Sequence, residues 1–253
     1  GVLFASACLY VFSERFHLHA GQIFLIVALM SAAVAAYVVC RLPDFMLRLI
    51  LYPIANGIYR IQVEGGENVP MEGPSLLVSN HVSYADPFLI GGATQRLLRF
   101  LMFRRYYEAP VLNWFYRAMG TIPISDRDSP KAMVQSLLAA RRALEQGKAV
   151  GIFAEGEITR HGQLLRFRKG FERIVRDLPV PVVPVHLDRV WGSIFSFEGN
   201  RVFFKWPRRL PYPVTVSFGK PMPSSSSAYE VRQAILALGA EAFRHRLAER
   251  EPL

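Results

Sequence analysis

From Ile61 onward the chain alternates short apolar runs with longer amphipathic ones, and this alternation limits the fold more than any other feature. Ile61–Val63, Leu76–Ser79, Leu97–Phe103, Thr121–Ile124, Ala149–Phe153, Val180–Leu187 and Val214–Phe218 read as strands. Between and after them, Ala109–Met119, a stretch opening at Ser129-Pro130, Phe167–Arg176 and Tyr229–Leu247 read as helices. Strands alternating with helices predict an α/β fold: a mixed, mostly parallel sheet flanked by helices. Some boundaries carry their own chemistry. Ser129 is an N-cap type, Pro130 suits the first helical position, and Gly147 closes that helix. Pro181 and Pro184 lack the N–H that a sheet ladder needs, so Val180–Leu187 is expected near an edge or a bulge.

The first sixty residues have a different texture. Residues 1–12 are apolar and uncharged, and Ile23–Cys40 adds eighteen residues without a charge. As a helix that stretch rises about 27 Å, close to the hydrocarbon thickness of a bilayer, so it reads as a membrane helix. Arg41 and Arg48 follow it and set the next segment in the cytoplasm by the positive-inside rule. Phe45–Tyr59 mixes Leu, Ile, Tyr and Arg, as an interfacial helix at the headgroups does. A secretory signal fits poorly, because a basic start and a cleavage site are missing. The expected organisation is a membrane-anchoring helical segment at 1–60 and one domain at 61–253. The first residue is Gly, so the chain reads as processed or as an excerpt of a longer one.

One strand end carries candidate chemistry. In SLLVSNHVSYADP, residues 75–87, the apolar run stops at Asn80-His81, and Asp86-Pro87 follows. Within one regular helix, positions i and i+5 lie about 140° apart and do not face each other. Across a turn that enters a helix they can. His81 is then a candidate general base, with Asp86 bonding its other ring nitrogen and fixing the tautomer. The same letters fit an ordinary helix start, with Asp86 as N-cap and Pro87 behind it. Spacing alone leaves both readings open.

A second strand, Ala149–Phe153, runs into Glu155-Gly156 within GIFAEGEITRHG, residues 151–162. Ligands of parallel sheets bind beyond the carboxyl ends of the strands, where His81 should also emerge. Glu155 can accept from a substrate hydroxyl or hold an Arg, Gly156 allows close backbone approach, and Arg160 can meet a phosphate. A loop with a salt bridge is the competing reading for Glu155. The formal charge is +10, with +2 of it in residues 1–60 and +8 in 61–253. A basic domain beside an apolar segment points to an anionic membrane surface or phosphate-bearing substrates. Nucleic acid ranks well below, since zinc spacing, an RNA-binding aromatic signature and a recognition helix are all missing. Cys8 and Cys40 lie in apolar sequence and give neither a metal pattern nor a disulfide framework.

In order along the chain stand NHxSxxD at Asn80–Asp86, FxEG at Phe153–Gly156 and VPVVPV at Val180–Val185. This set resembles the glycerophospholipid acyltransferase family (1-acylglycerol-3-phosphate acyltransferase-like), which carries HxxxxD, FPEG and VPxxP blocks in that order. The likeness covers about Ile61–Gly219. It implies that His81 and Asp86 are catalytic and that Arg104, Arg105, Glu155, Gly156, Thr159 and Arg160 contact substrate. Arg104-Arg105 sit where the family carries basic residues after its second strand. FxEGxIT together with WGSIF at Trp191–Phe195 looks closest to the branch fused to a lysophospholipid-transporter-like membrane domain, which includes the 2-acylglycerophosphoethanolamine acyltransferases. Residues 1–40 would then be the last transporter helices. This sequence departs from the family pattern at Ala154, where Pro is usual. Glu157-Ile158 also stands between Gly156 and Thr159-Arg160, and Arg127 comes seven rather than six residues after Gly120.

The resemblance implies acyl transfer from acyl-CoA or acyl carrier protein to the free hydroxyl of a lysophospholipid, either lysophosphatidate or lysophosphatidylethanolamine. His81 would take the hydroxyl proton while Asp86 orients its ring. Backbone N–H groups near Gly156 are candidates for the oxyanion, and the arginines for the phosphate. No metal or bound cofactor is implied, and no G-x-S-x-G elbow supports a serine route. The implied partners are the lysophospholipid, the acyl donor, the membrane and a transporter domain in the same polypeptide. The expected location is the inner membrane, with the catalytic domain facing the cytoplasm. The rivals are a non-catalytic membrane module that binds lipid or tethers a partner, and a hydrolase using His81 with water.

Overall fold

A computed structural model describes residues 19–41, 57–94, 96–110, 112–124, 129–200, 205–207 and 210–248. The chain divides into two compact units, Gly1–Met46 and Leu47–Leu253. In the first, the described residues form one helix, α1 (Ala20–Arg41). Most of its described apolar side chains are exposed, among them Phe24, Leu25, Leu29, Met30 and Val34, while Ile23 is buried. The membrane helix expected here is not found: among the described residues no helix is long and apolar enough to cross a membrane. The interfacial helix expected at Phe45–Tyr59 falls outside the described residues except for Gly57–Tyr59, and Tyr59 opens a strand.

The second unit is built on a seven-stranded sheet of β1 (Tyr59–Glu64), β2 (Ser75–Ser79), β3 (Leu98–Phe103), β4 (Ile122–Ile124), β5 (Ala149–Phe153), β6 (Val182–Asp188) and β7 (Tyr212–Phe218). Their order is β1-β7-β6-β2-β5-β3-β4. Every neighbouring pair is parallel except β6–β7. Strands β2 to β6 therefore bring their carboxyl ends to one edge of the sheet, and β1 and β7 run the other way.

Period-two alternation sends successive side chains to opposite faces. Leu76, Val78, Val150, Ile152 and Val182 face α5 (Pro130–Glu145), α6 (Gly170–Val175) and α7 (Ala228–Ala248) in one apolar cluster. Leu77, Phe100, Val183, Val185, Val214 and Val216 form the other, against Leu89 and Ile90 of α2 (Asp86–Ala93). Two short helices, α3 (Arg104–Tyr107) and α4 (Asn113–Ala118), follow β3. With apolar cover on both faces, the continuous apolar run of a strand such as Leu76–Val78 is explained.

Local signals placed several boundaries. Ser129 Oγ accepts the N–H of Ala132 at 3.3 Å, and Pro130 opens α5. Gly147 sits at φ +74° just beyond its end, a conformation that favours glycine. Two expectations are corrected. Strand β6 is not at an edge but lies third of seven, between β7 and β2. It tolerates Pro184 because the β7 ladder starts one residue later, at Val185↔Phe218, and Pro184 only has to accept, from Gly219 N at 2.8 Å. The helix expected from Phe167 begins at Gly170 instead. The N–H of Arg168 donates to Ala154 O at 2.8 Å and holds that stretch as loop, so Arg166 and Arg168 are not on a helix face.

Candidate active site

Strands β2 and β5 are adjacent and in register, with Ser79 opposite Phe153. Two residues beyond each pair partner come His81 and Glu155, and the sheet sets them side by side at its carboxyl edge. The turn after β2 then folds Asp86, in the first turn of α2, back onto the histidine. His81 Nδ1 lies 2.8 Å from Asp86 Oδ2. The same oxygen accepts the N–H of Val82 at 2.7 Å and of Ser83 at 2.9 Å, while Oδ1 accepts the Ser83 hydroxyl at 2.6 Å. Asp86 is fully buried, and these four bonds with the start of the α2 dipole satisfy its charge there. Ala85, not Asp86, stands at the N-cap, so the carboxylate serves the histidine loop rather than the helix end.

The imidazole is also fixed in plane. It stacks on Phe153 with centroids 3.9 Å apart and 13° between planes, and Phe153 stacks on Phe100 at 5.7 Å and 11°. Phe100 lies opposite Gly151 in the β3–β5 pairing, and its Cε1 is 2.4 Å from where a Cβ on Gly151 would sit. The missing side chain makes room for the stack. Among the described residues Nε2 of His81 has no hydrogen-bond partner, and the side chain keeps 17% of its exposure. A neutral imidazole held at Nδ1–H by a carboxylate presents Nε2 as a base.

Glu155 is 2% exposed and binds main chain, not an Arg or a hydroxyl. Oε1 accepts the N–H of His81 at 2.7 Å, and Oε2 that of Leu165 at 2.7 Å. Burial raises its pKa above the ordinary carboxylate value, and the two N–H bonds oppose the shift. Thr159 is buried as well; its N–H donates to His81 O at 2.9 Å and its hydroxyl accepts from His161 N at 3.3 Å. Gly156, at φ +76°, packs against Arg168, whose Nε is 2.7 Å from where a Cβ would sit. Its own N–H donates to Phe153 O at 3.0 Å.

The arginines sit further out. Arg104 pairs with Glu108 at 3.8 Å. Arg105 is exposed on α3, and the guanidinium of Arg160 lies 5.5 Å from the centroid of Phe197. Arg127 falls outside the described residues. Beside Glu155 opens a groove of about 560 Å³, lined by Glu157, Leu165, Arg166, Phe167, Arg168 and Lys169. Among the described residues no three His, Cys, Asp or Glu side chains gather to hold a metal ion.

Sequence reasoning missed several parts of this site. Asn80 bridges β2 to β6, its Nδ2 donating to Leu187 O at 3.1 Å and its Oδ1 accepting from Leu187 N at 2.8 Å. Ser83 braces Asp86. Both are letters of NHxSxxD and were visible there, unassigned. The Phe100–Phe153–His81 stack was foreshadowed only by Gly151 within an apolar strand.

A histidine held by a buried carboxylate at the carboxyl edge of an α/β sheet is the arrangement that general-base chemistry on a hydroxyl or water requires. A model of the Acyltransferase family matches residues 60–188, and the chain belongs to that family. It is 30% identical over 138 residues to the chloroplastic 1-acyl-sn-glycerol-3-phosphate acyltransferase LPAT1 of Arabidopsis thaliana, covering 54% of this chain and 37% of that protein. It is 31% identical over 147 residues to a 1-acyl-sn-glycerol-3-phosphate acyltransferase of Pseudomonas aeruginosa, covering 58% and 54%. The fold is that of the 1-acyl-sn-glycerophosphate acyltransferase PlsC of Thermotoga maritima, with a TM-score of 0.63 over 96% of this chain and 95% of that one at 22% identity. The chain spans about a third to a half of the length of the curated relatives it matches.

Proposed function

We propose that this chain transfers a fatty acyl group from a thioester donor to the free hydroxyl of a lysophospholipid, with His81 as general base. The observation that carries the reading is the 2.8 Å contact of His81 Nδ1 with the fully buried Asp86 carboxylate, which leaves Nε2 as the basic nitrogen. The acceptor hydroxyl gives its proton to Nε2 as its oxygen attacks the thioester carbonyl. Asp86 stabilises the imidazolium so formed. The tetrahedral intermediate then collapses, and the thiolate leaves with the proton returned by the imidazolium. General-base help of this kind is worth roughly 10²–10⁴-fold.

The acceptor best supported is lysophosphatidate, because the relatives described above are named for 1-acyl-sn-glycerol-3-phosphate. A lysophosphatidylethanolamine acceptor and a fused transporter domain rest on the sequence resemblance alone. The basic groove beside Glu155 supports a phosphate-bearing donor, acyl-CoA or acyl carrier protein. The exposed apolar side chains of α1 and the net charge of +10 support action at an anionic membrane surface, on the cytoplasmic face. Domain 61–253 would carry the chemistry and 1–60 the attachment. The non-catalytic reading leaves the buried acid–base pair without a use.

The deciding assay incubates the full chain with a panel of lysophospholipids and either acyl-CoA or acyl carrier protein thioester, with products read by mass spectrometry. Acylated lipid from the wild type and a loss of roughly 10²-fold or more in His81→Ala are expected. Full activity in His81→Ala would remove the assigned base. Free fatty acid at a rate indifferent to lysolipid would mean hydrolysis.

A further inference from the structure

The chain has three tryptophans, and two of them stand out from the surface: Trp114 is 66% exposed and Trp206 93%. Each ring carries a large apolar area, which is costly to leave in water. Both belong to segments that leave or enter the sheet at its carboxyl edge, where His81 also lies. Strand β3 ends there at Phe103, and α3 begins at the next residue. Asn113 Nδ2 donates to Tyr107 O at 2.7 Å, which ties the start of α4, next to Trp114, to α3. On the other side, β7 runs against β6 with Asp188 opposite Thr215, so the amino end of β7 lies at the same edge. Trp206 stands in the segment that leads into it.

The two segments are fastened to one turn, the turn that carries the candidate base. From α3, the Tyr106 hydroxyl lies 2.9 Å from that of Tyr84. From the other side, Lys205 Nζ donates to Ser196 O at 2.6 Å, and Ser196 pairs with Ser83 in an isolated antiparallel bridge. Ser83 and Tyr84 lie between His81 and Asp86. The exposed rings therefore flank the candidate site from two sides.

We propose that Trp114 and Trp206, with Tyr106 and the basic side chains beside them, form a docking face that sets the mouth of the His81 site against an anionic bilayer. This rests on the reading of that site as one that takes a lipid acceptor. The face lies within the second unit, so it is a contact separate from α1. Residues 103–118 hold Arg104, Arg105 and Arg117 against one acid, Glu108, and Lys205 precedes Trp206. Arg105 and Arg117 are exposed, and Arg117 shares a face of α4 with Trp114, three residues before it. Tryptophan and tyrosine settle at the headgroup level of a bilayer, and cations there meet anionic lipid. Leu112 and Leu210, 45% and 56% exposed, add apolar area close in sequence to the two rings. Rings that stand on two separate segments need a partner that yields around each of them. A bilayer does so, whereas a folded protein would need a matched pocket for each ring. The lipid acceptor would then pass from the bilayer to His81 without crossing water.

The test uses the full chain and vesicles of phosphatidylcholine, with or without phosphatidylglycerol, some with brominated acyl chains. Bromine quenches only tryptophans that reach the chains, so emission reports these rings and not α1, which has no tryptophan. Wild-type emission is expected to shift to the blue and to be quenched, more with phosphatidylglycerol than without, and less as salt rises. In the Trp114→Phe, Trp206→Phe double variant only the half-buried Trp191 remains, and the quenching should be lost. The Trp114→Ala, Trp206→Ala double variant should partition onto vesicles about tenfold less well or worse, as loss of two rings predicts. Unfolding curves check that both variants are folded. A wild type that fails to bind vesicles, or that binds with unchanged emission, would overturn the face. So would quenching that persists in the double Phe variant, or a complex with acidic acyl carrier protein and no response to vesicles. An inactive wild type whose rings are quenched would reject acyl transfer and keep the face. An active wild type without quenching would do the reverse.

Discussion

The main-chain N–H of His81 donates to Glu155 Oε1 at 2.7 Å, and the carbonyl of the same histidine accepts from Thr159 N at 2.9 Å. The loop after β5 thus grips the candidate base by both of its backbone polar groups. Glu155→Ala leaves the N–H groups of His81 and Leu165 without their acceptor, each at a cost of about 1–3 kcal/mol where water cannot replace it. We expect a lower melting temperature and a lower kcat together. Glu155→Gln keeps one acceptor and turns its amide N–H₂ toward the second donor, so it should fall between wild type and Ala. Thermal unfolding beside steady-state kinetics checks the order.

Asp86→Asn keeps the size of the side chain but not the charge, and an amide on the Oδ2 side can no longer accept from His81, Val82 and Ser83. The histidine then loses its fixed tautomer and the partner for its cation. A fall in kcat of roughly 10²–10⁴-fold with a small change in KM is expected. Equal kcat in the two proteins would show that Asp86 only shapes the loop.

Gly151→Ala tests the stack at a distance from the chemistry. A Cβ there would approach Phe100 Cε1 to 2.4 Å, so the ring must move, and Phe153 and His81 with it. Overpacking of this kind costs about 1–3 kcal/mol. The specific expectation is that Phe153→Leu, which keeps apolar bulk but no flat ring, lowers kcat more than it lowers stability. Parallel losses of stability in both variants with unchanged kcat would assign the rings to packing alone.

His186 sets a pH limit on stability. It lies on β6 under α7, with its ring against Gly239, and its Nδ1 has no hydrogen-bond partner among the described residues. Burial lowers its pKa below the ordinary histidine value, Asp188 opposes the shift and Arg246 adds to it. The unfolded chain takes up this proton near pH 6.5, where the folded one still resists. The unfolded state then binds more protons, so stability falls as pH drops below about 6.5, by at most about 1.4 kcal/mol per unit for this group. Melting curves from pH 7.5 to 5 should show that slope, and His186→Leu should flatten it.

Much of the fold was legible because its signals are local. Strand β5 sits where the apolar run stands, and α5 starts at a capping serine followed by proline. The position of β6 was not legible. Pro184 argued for an edge, and only the end of β7 beside it, far along the chain, removes the conflict. The site divides the same way. His81 and Asp86 lie five residues apart in one turn, so spacing allowed their meeting without deciding it against an ordinary helix start. Glu155 bonds to backbone amides, and main-chain groups leave no letter in a sequence. Asn80 meets Leu187, 107 positions away, a pairing that only the assembled sheet creates.

The in-register pairing of Ser79 with Phe153 makes strand length itself a chemical variable. In β5, side chains alternate between the two faces, so removing one residue such as Ile152 would turn every later one over. The flat ring beneath the imidazole would be exchanged for whatever came next, and the acid that grips the base would arrive a residue early. A deletion that touches no candidate reacting group would therefore dismantle the candidate site from within the sheet.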